Sequence, residues 1–312
     1  MPAVPRWFLG VLCLVPCSCD VVPVPHADDD WPPVPAARDP GDGRGEHHRQ
    51  ALALRARLVA GAVDVDTVAW FARRLGYLGD YDGAIAACSR GLERFPDDPR
   101  LLRHRGHRLI STRRFDAAVD DLARARDALD AAGRAEGDQV EPDGLPNAAG
   151  RPTGTLRTAV LYHLALARYL CGDHATAALD WEACLAASPS VDMDVAATAW
   201  LVACRRRLGD HDGARRAAAA IPADAVVLEN GDYLRLCRLE AERFDADAAV
   251  AAADAPGASE ALRYGVARYL IDHGLVADRS RLAELAATGA PEAFGTIAAA
   301  ADLKGPREVA AR

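Results

Sequence analysis

Apolar residues recur through most of the chain at three- and four-residue spacing, with small residues set at the centre of each run. Over residues 47–64, Ala51, Leu52, Leu54, Leu58 and Val59 form one broad apolar stripe, which predicts a capping helix over His47 to Ala62, in front of the array that begins at Val65. Over residues 65–129 the pattern repeats itself. The run from Leu75 to Ala84 is in step with the run from Leu109 to Ala118, so that Tyr81 falls on Phe115, Asp82 on Asp116, Ala84 on Ala118 and Gly91 on Ala125, a period of 34 residues. Such a period marks a helix pair that cannot bury its apolar face alone and stacks on the next pair. Gly79-Asp80-Tyr81 predicts the turn within the first pair, with Asp82 placed to cap the second helix.

The same pattern continues over residues 157–222. Leu161, Leu164 and Ala165, then Gly172-Asp173-His174, Ala177, Trp181, Cys184 and Pro189 outline a third pair. Leu201, Gly209-Asp210-His211-Asp212 and Ala214 outline a fourth after a three-residue shift. Over residues 223–303 the repeat decays, although Tyr233 to Cys237, Ala246 to Ala253, Leu262 to Asp272, Arg279 to Ala287 and residues 292–302 still read as alternating helices. Residues 304–312 form a tail. Ala dominates, while aromatic and β-branched residues are sparse, which favours helix over strand. The expected fold class is all-α, a right-handed α-solenoid of stacked antiparallel helix pairs.

The rows resemble the tetratricopeptide repeat, whose two helices carry small residues where they cross. Phe71-Ala72 and Leu75 with Ala84, Cys88, Gly91 and Pro96 fill those places in the first pair, and Gly106, Leu109, Ala118, Leu122 and Ala125 in the second. The departures are Val68, where the family usually has Trp or Tyr, and Arg105, where it has Leu. Arg105 must therefore extend its stem to solvent or the local packing must differ. In that family the first helix of each pair lines a concave groove that holds a peptide. The resemblance places Arg73 and Tyr77 in this groove, then Arg103, His107 and Ser111, then Tyr162, Leu166 and Tyr169, and finally Arg206 and Arg207. Arg and Tyr are favoured interface side chains, so the expected partner is a protein or peptide of acidic character. The alternative is a solvated basic face balanced by Asp116, Asp120 and Asp121.

The chain's 312 residues carry a formal net charge of −8, which argues against a general nucleic-acid binder. Its eight cysteines are Cys13, Cys17, Cys19, Cys88, Cys171, Cys184, Cys204 and Cys237. They include no C-x-x-C pair, and the five internal ones read as small buried apolar residues. Over residues 1–19, Arg6 precedes a short apolar run from Trp7 to Val15, too short to span a bilayer and laid out like a secretory leader. Ser18-Cys19 resembles the junction of bacterial lipoprotein signals, in which the Cys is lipidated. Pro16 does not fit the aliphatic residue expected there, and a plain signal peptide or a misassigned start codon are the alternatives. Residues 20–46, rich in Pro, Asp and Gly, are expected to be a disordered tether. The chain is thus expected to be exported and membrane-anchored, with a cytoplasmic adaptor as the alternative.

Residues 130–156 interrupt the array with Glu141-Pro142-Asp143-Gly144 and Asn147, a turn-forming connector long enough to carry function. It is expected to lie near the groove, with Glu141, Asp143 and Asn147 as its polar candidates. His104 and His107, with His163 one repeat on, invite a metal reading, but the surrounding arginines disfavour a cation. No phosphate-cradling loop and no nucleophile–base set can be defended from spacing. The expectation is a non-enzymatic scaffold without cofactor or metal. The second reading is a small-ligand binder or enzyme that uses the 130–155 flap over His107 and Tyr162.

Overall fold

The computed structural model describes residues 30–36, 44–133, 140, 147 and 149–305, and among these residues fourteen helices succeed one another and there is no strand. They are α1 (Gly45–Val59), α2 (Val65–Tyr77), α3 (Tyr81–Arg94), α4 (Pro99–Ser111), α5 (Phe115–Ala132), α6 (Leu156–Cys171) and α7 (His174–Ala186). The second half holds α8 (Val191–Arg207), α9 (His211–Ala220), α10 (Gly231–Glu240), α11 (Ala246–Asp254), α12 (Glu260–Asp272), α13 (Ser280–Thr288) and α14 (Phe294–Lys304). The 34-residue echo is exact in the helix starts: α2 and α4 begin at Val65 and Pro99, α3 and α5 at Tyr81 and Phe115.

Sequential packing organises the molecule. From α2 onward each even-numbered helix packs on the next even-numbered one, and each odd-numbered helix wedges between the even-numbered helices on either side of it. This is a two-layer arrangement, compatible with a helical repeat. Small residues sit where the helices cross. A Cβ on Gly106 would lie 2.6 Å from Leu122, and one on Gly91 2.7 Å from Val68, so these crossings are too close for larger side chains. Ala84, Cys88, Ala118 and Ala125 are fully buried beside them. Trp181, Phe71 and Leu164 are also fully buried, and burying a large side chain of this kind contributes roughly 1.5–3 kcal/mol.

The helix starts repeat one device. Asp80, Asp173 and Asp210 each follow a glycine of positive φ, and each accepts the amide three residues on, from Gly83 (2.9 Å), Thr176 (3.1 Å) and Gly213 (2.8 Å). The expectation that Asp82 caps α3 is corrected: Asp80 caps it, and Asp82 lies in the first turn, paired with Arg114. Arg105 is half-buried, its side chain 20% exposed, and it is held by an ion pair within the packing. Its Nε and Nη2 each donate to Asp121 at 2.6 Å, and Nη1 donates to Ser89 Oγ at 3.0 Å, so a buried carboxylate on α5 replaces the apolar partner.

The expected tether is corrected over residues 30–36. Trp31 is 5% exposed in a core shared with Leu58, Val68 and Phe71. Arg55 donates to the carbonyls of Pro32 (3.0 Å) and Trp31 (3.2 Å), which fixes this segment against α1. Proline-rich composition hid a single large apolar anchor. The leader and Cys19 lie outside the described residues. No helix among the described residues is long and apolar enough to cross a membrane.

Candidate functional site

The layer of even-numbered helices, termed the inner layer, curls back on itself. α12 packs against α8 as well as α10, and α14 returns to α6. Phe294, at the start of α14, lies against the rings of His107 (5.5 Å between centroids), His163 (5.8 Å) and Tyr162 (6.4 Å). Ile297, Ala298 and Ala299 are buried behind it in the same core as Leu164 and Trp200. The inner face of α4 and α6, expected to hold a peptide, is covered there by the chain's own last helix.

This closure decides the fate of the expected groove residues. Leu166 is fully buried, Tyr169 is 2% exposed and Ser111 3% exposed, so none of the three presents a surface. Tyr169 shares a 2.6 Å hydroxyl contact with Tyr264 on α12, and Tyr264 donates to Asp302 on α14 at 3.0 Å. Arg207 pairs with the same Asp302. Arg206 is held on several sides. Its Nε donates to Glu240 at 2.9 Å, Nη1 to His211 Nδ1 at 3.1 Å and Nη2 to His273 Nε2 at 2.7 Å, with a further Nη2 contact to Glu240. The two α8 arginines therefore bolt the fold together. Register on a single helix could not show this, because their partners come from α9, α10, α14 and the end of α12.

Arg73 is 6% exposed, stacks over Trp70 at 4.6 Å and reaches Tyr77 Oη at 3.4 Å. Arg74 lies over the same indole at 4.8 Å and contacts His47 Nδ1 at 3.1 Å. Trp70 and Arg74 belong to this cluster and were missed by register; the spacing of Trp70 three and four residues before two successive arginines is the signal that could have found them. Arg108 lies over Tyr81 at 5.6 Å. The α2–α4 end of the inner face is thus basic and aromatic.

His107 and His163 lie 4.5 Å apart, ring to ring. Burial, followed by Arg108 and His163, holds His107 well below the usual imidazole range. Burial and then Arg103 push His163 down to about 3. Both are neutral at pH 7. The internal thiols of Cys88, Cys184, Cys204 and Cys237 are pushed up to about 12 by burial and are inert packing residues. No group of three His, Cys, Asp or Glu among the described residues could hold a metal ion.

Where the connector re-enters the described structure, Thr153 and Gly154 lead into the Thr155 cap of α6. Together with Arg103, Tyr162, His163 and Glu229 they bound an open cavity of about 210 Å³. Tyr162 shares hydroxyl contact with Tyr233 at 3.3 Å and accepts from Trp200 Nε1 at 3.0 Å, which fixes its ring. Asn147 is engaged in a local turn, accepting from the amides of Ala149 (3.1 Å) and Arg151 (3.2 Å) and donating to the Arg151 carbonyl at 2.6 Å. Glu141 and Asp143 lie outside the described residues. The fold and this geometry define an all-α protein of consecutively packed helix pairs. No protein-family model matches the chain, and no curated protein matches it in sequence.

Proposed function

We propose that the chain is a non-enzymatic interaction scaffold, a right-handed solenoid of tetratricopeptide type, exported and held at a membrane through Cys19. The observation that carries the reading is the basic, aromatic inner face at the α2–α4 end, where half-buried Arg74 lies over the rings of Trp70 and Tyr77. The partner contact belongs there, not along the whole inner face, because α14 covers the middle and Arg206 and Arg207 serve internal pairs. Arginine stacked on an aromatic ring keeps its N–H fork directed at carboxylates, so the partner is an acidic peptide or protein segment.

A photocrosslinking residue placed at Tyr77 should give a discrete product in cells, whereas one at Leu179, exposed on the odd-numbered layer, should not. Arg74→Glu in the Tyr77 background should remove the product. The same product from both positions, or its persistence with Arg74→Glu, would remove this face from the reading. In the same cells, Cys19→Ser should move the chain from the membrane to the soluble fraction; unchanged fractionation would end the tether.

A further inference from the structure

The arginines that hold the helices together find carboxylates: Arg105 meets Asp121, Arg114 meets Asp82, Arg206 meets Glu240 and Arg207 meets Asp302. Arg108 on α4 is different. Its guanidinium makes no hydrogen bond and no ion pair among the described residues, and the one ring it lies over there is Tyr81, 5.6 Å from the centroid. Gly76 on α2 makes room for it, since a Cβ at that position would fall 2.9 Å from Arg108 Cζ and Nε. The half-buried guanidinium therefore lies against the α2 backbone. A cation that gives up part of its water and gains no anion is costly. Burial, followed by the charge of Arg103, holds this guanidinium below the ordinary arginine value.

The surroundings of Tyr81 are positive as well. Burial and then Glu292 raise the Tyr81 phenol above its ordinary value, while Arg108, Arg44 and Arg113 pull it down. The hydroxyl is thus a donor at pH 7, and it has no hydrogen-bond partner among the described residues. Arg113 directs its fork at the Ser111 and Pro291 carbonyls and meets no carboxylate among those residues. The acids of the adjoining turn are already engaged. Asp80 accepts the Gly83 amide, and Asp82 pairs with Arg114. Glu292 is exposed, where water and salt screen its charge. A carboxylate would balance only one of the two unmatched charges, those of Arg108 and Arg113. A phosphoryl group, about −1.5 to −2 at pH 7, comes closer to balancing both, and its oxygens suit an arginine fork and a phenol donor.

We propose that Arg108, Tyr81 and Arg113 form a binding site for a phosphoryl group. The Arg108 fork and the Tyr81 hydroxyl are its direct donors, and Arg113 supplies the second positive charge. The site adjoins the α2 face but uses neither Trp70, Arg74 nor Tyr77, so phosphoryl binding and partner capture can fail separately.

Isothermal titration calorimetry of the full chain with sodium phosphate and with N-acetyl-O-phosphoserine amide, at constant ionic strength, tests it. At least one should bind saturably, and acetate should bind at least about tenfold more weakly. Arg108→Met, its fold checked by circular dichroism, should weaken binding by about tenfold or more, and Tyr81→Phe, which keeps the ring, by about threefold or more. Glu292→Gln should strengthen it. The bound ligand should raise the unfolding temperature of the unaltered chain but not that of Arg108→Met. An ester that binds as tightly as phosphate assigns the site to a phosphoryl group carried on a chain, and one at least about tenfold weaker assigns it to the free ion. No saturable binding of either up to roughly 10 mM overturns the proposal. So does binding indifferent to Arg108→Met, or acetate binding as tightly as phosphate.

Discussion

Replacing Arg206 with methionine is expected to destabilise the protein by about 3–5 kcal/mol, because it strands a buried carboxylate. The Arg206 side chain is 8% exposed and that of Glu240 is 3% exposed, so water cannot take the place of the lost guanidinium. The same substitution removes the donor to His211 and to His273 and so loosens α9, α10 and the end of α12 together. The pair can be separated from its packing. Arg206→Met combined with Glu240→Met should recover most of the loss, since an apolar pair of similar size removes the desolvation cost of both charges. Urea unfolding of the two single variants and the double variant measures the coupling. If the double variant is as unstable as the sum of the singles, the ion pair is not what Arg206 contributes.

The Arg206→Met deficit should also depend on pH. Burial already holds the Glu240 carboxyl above its ordinary value of 4.5, against the hydrogen bond and charge of Arg206 and the charge of His273. Without Arg206, burial faces less opposition, and the folded-state value rises further above the unfolded one. The folded variant then binds more protons than the unfolded chain, so its stability falls as pH rises through and above the ordinary carboxylate range. The penalty should be larger at pH 8 than near pH 5, because lowering the pH towards the ordinary carboxylate value reduces the cost of keeping a neutral Glu240 in the fold. A penalty that is constant with pH would place the damage in packing alone.

The periodic elements were legible because they are local. The 34-residue echo located the pairs α2–α3 and α4–α5, and small residues at Gly91, Gly106 and Ala118 marked the crossings before any contact was known. The decayed C-terminal rows still gave α10 to α14 within a few residues, since helix spacing survives when repeat spacing does not. The site was legible only in part. Register on one helix predicts which side chains share a face, but not whether a distant helix covers that face or whether an arginine finds a carboxylate 34 residues on, as Arg206 does in Glu240. Phe294 gave no such sign. Its apolar stripe announces a helix that must bury one side, and nothing in that stripe names His107 and His163 as the surface it meets. Trp31 shows the converse error, in which composition of the surrounding segment outweighed one residue able to anchor it.

Gly295→Ala is expected to dislodge the start of α14 and reopen the inner face. A Cβ at Gly295 would lie 2.1 Å from the Glu260 carbonyl oxygen and 2.4 Å from its carbon, with the Ala261 amide nitrogen at 3.0 Å. All three are backbone atoms at the beginning of α12, so no rotamer change relieves the overlap, and one helix must move away from the other. Overpacking of this kind costs about 1–3 kcal/mol, and a backbone-to-backbone clash falls at the upper end. The displacement would draw the neighbouring Phe294 out of its contacts with His107, His163 and Tyr162. At the far end of α14, Asp302 would still be held by Tyr264 and Arg207, so the helix should hinge about that end and not leave altogether. Hydrogen exchange should therefore accelerate over residues 294–299 and over the His107 and His163 turns, with less change near Asp302. Exchange that rises uniformly along α14 would mean that the helix detaches as a unit. Unchanged exchange at His107 and His163 would show that Phe294 does not seal the inner face.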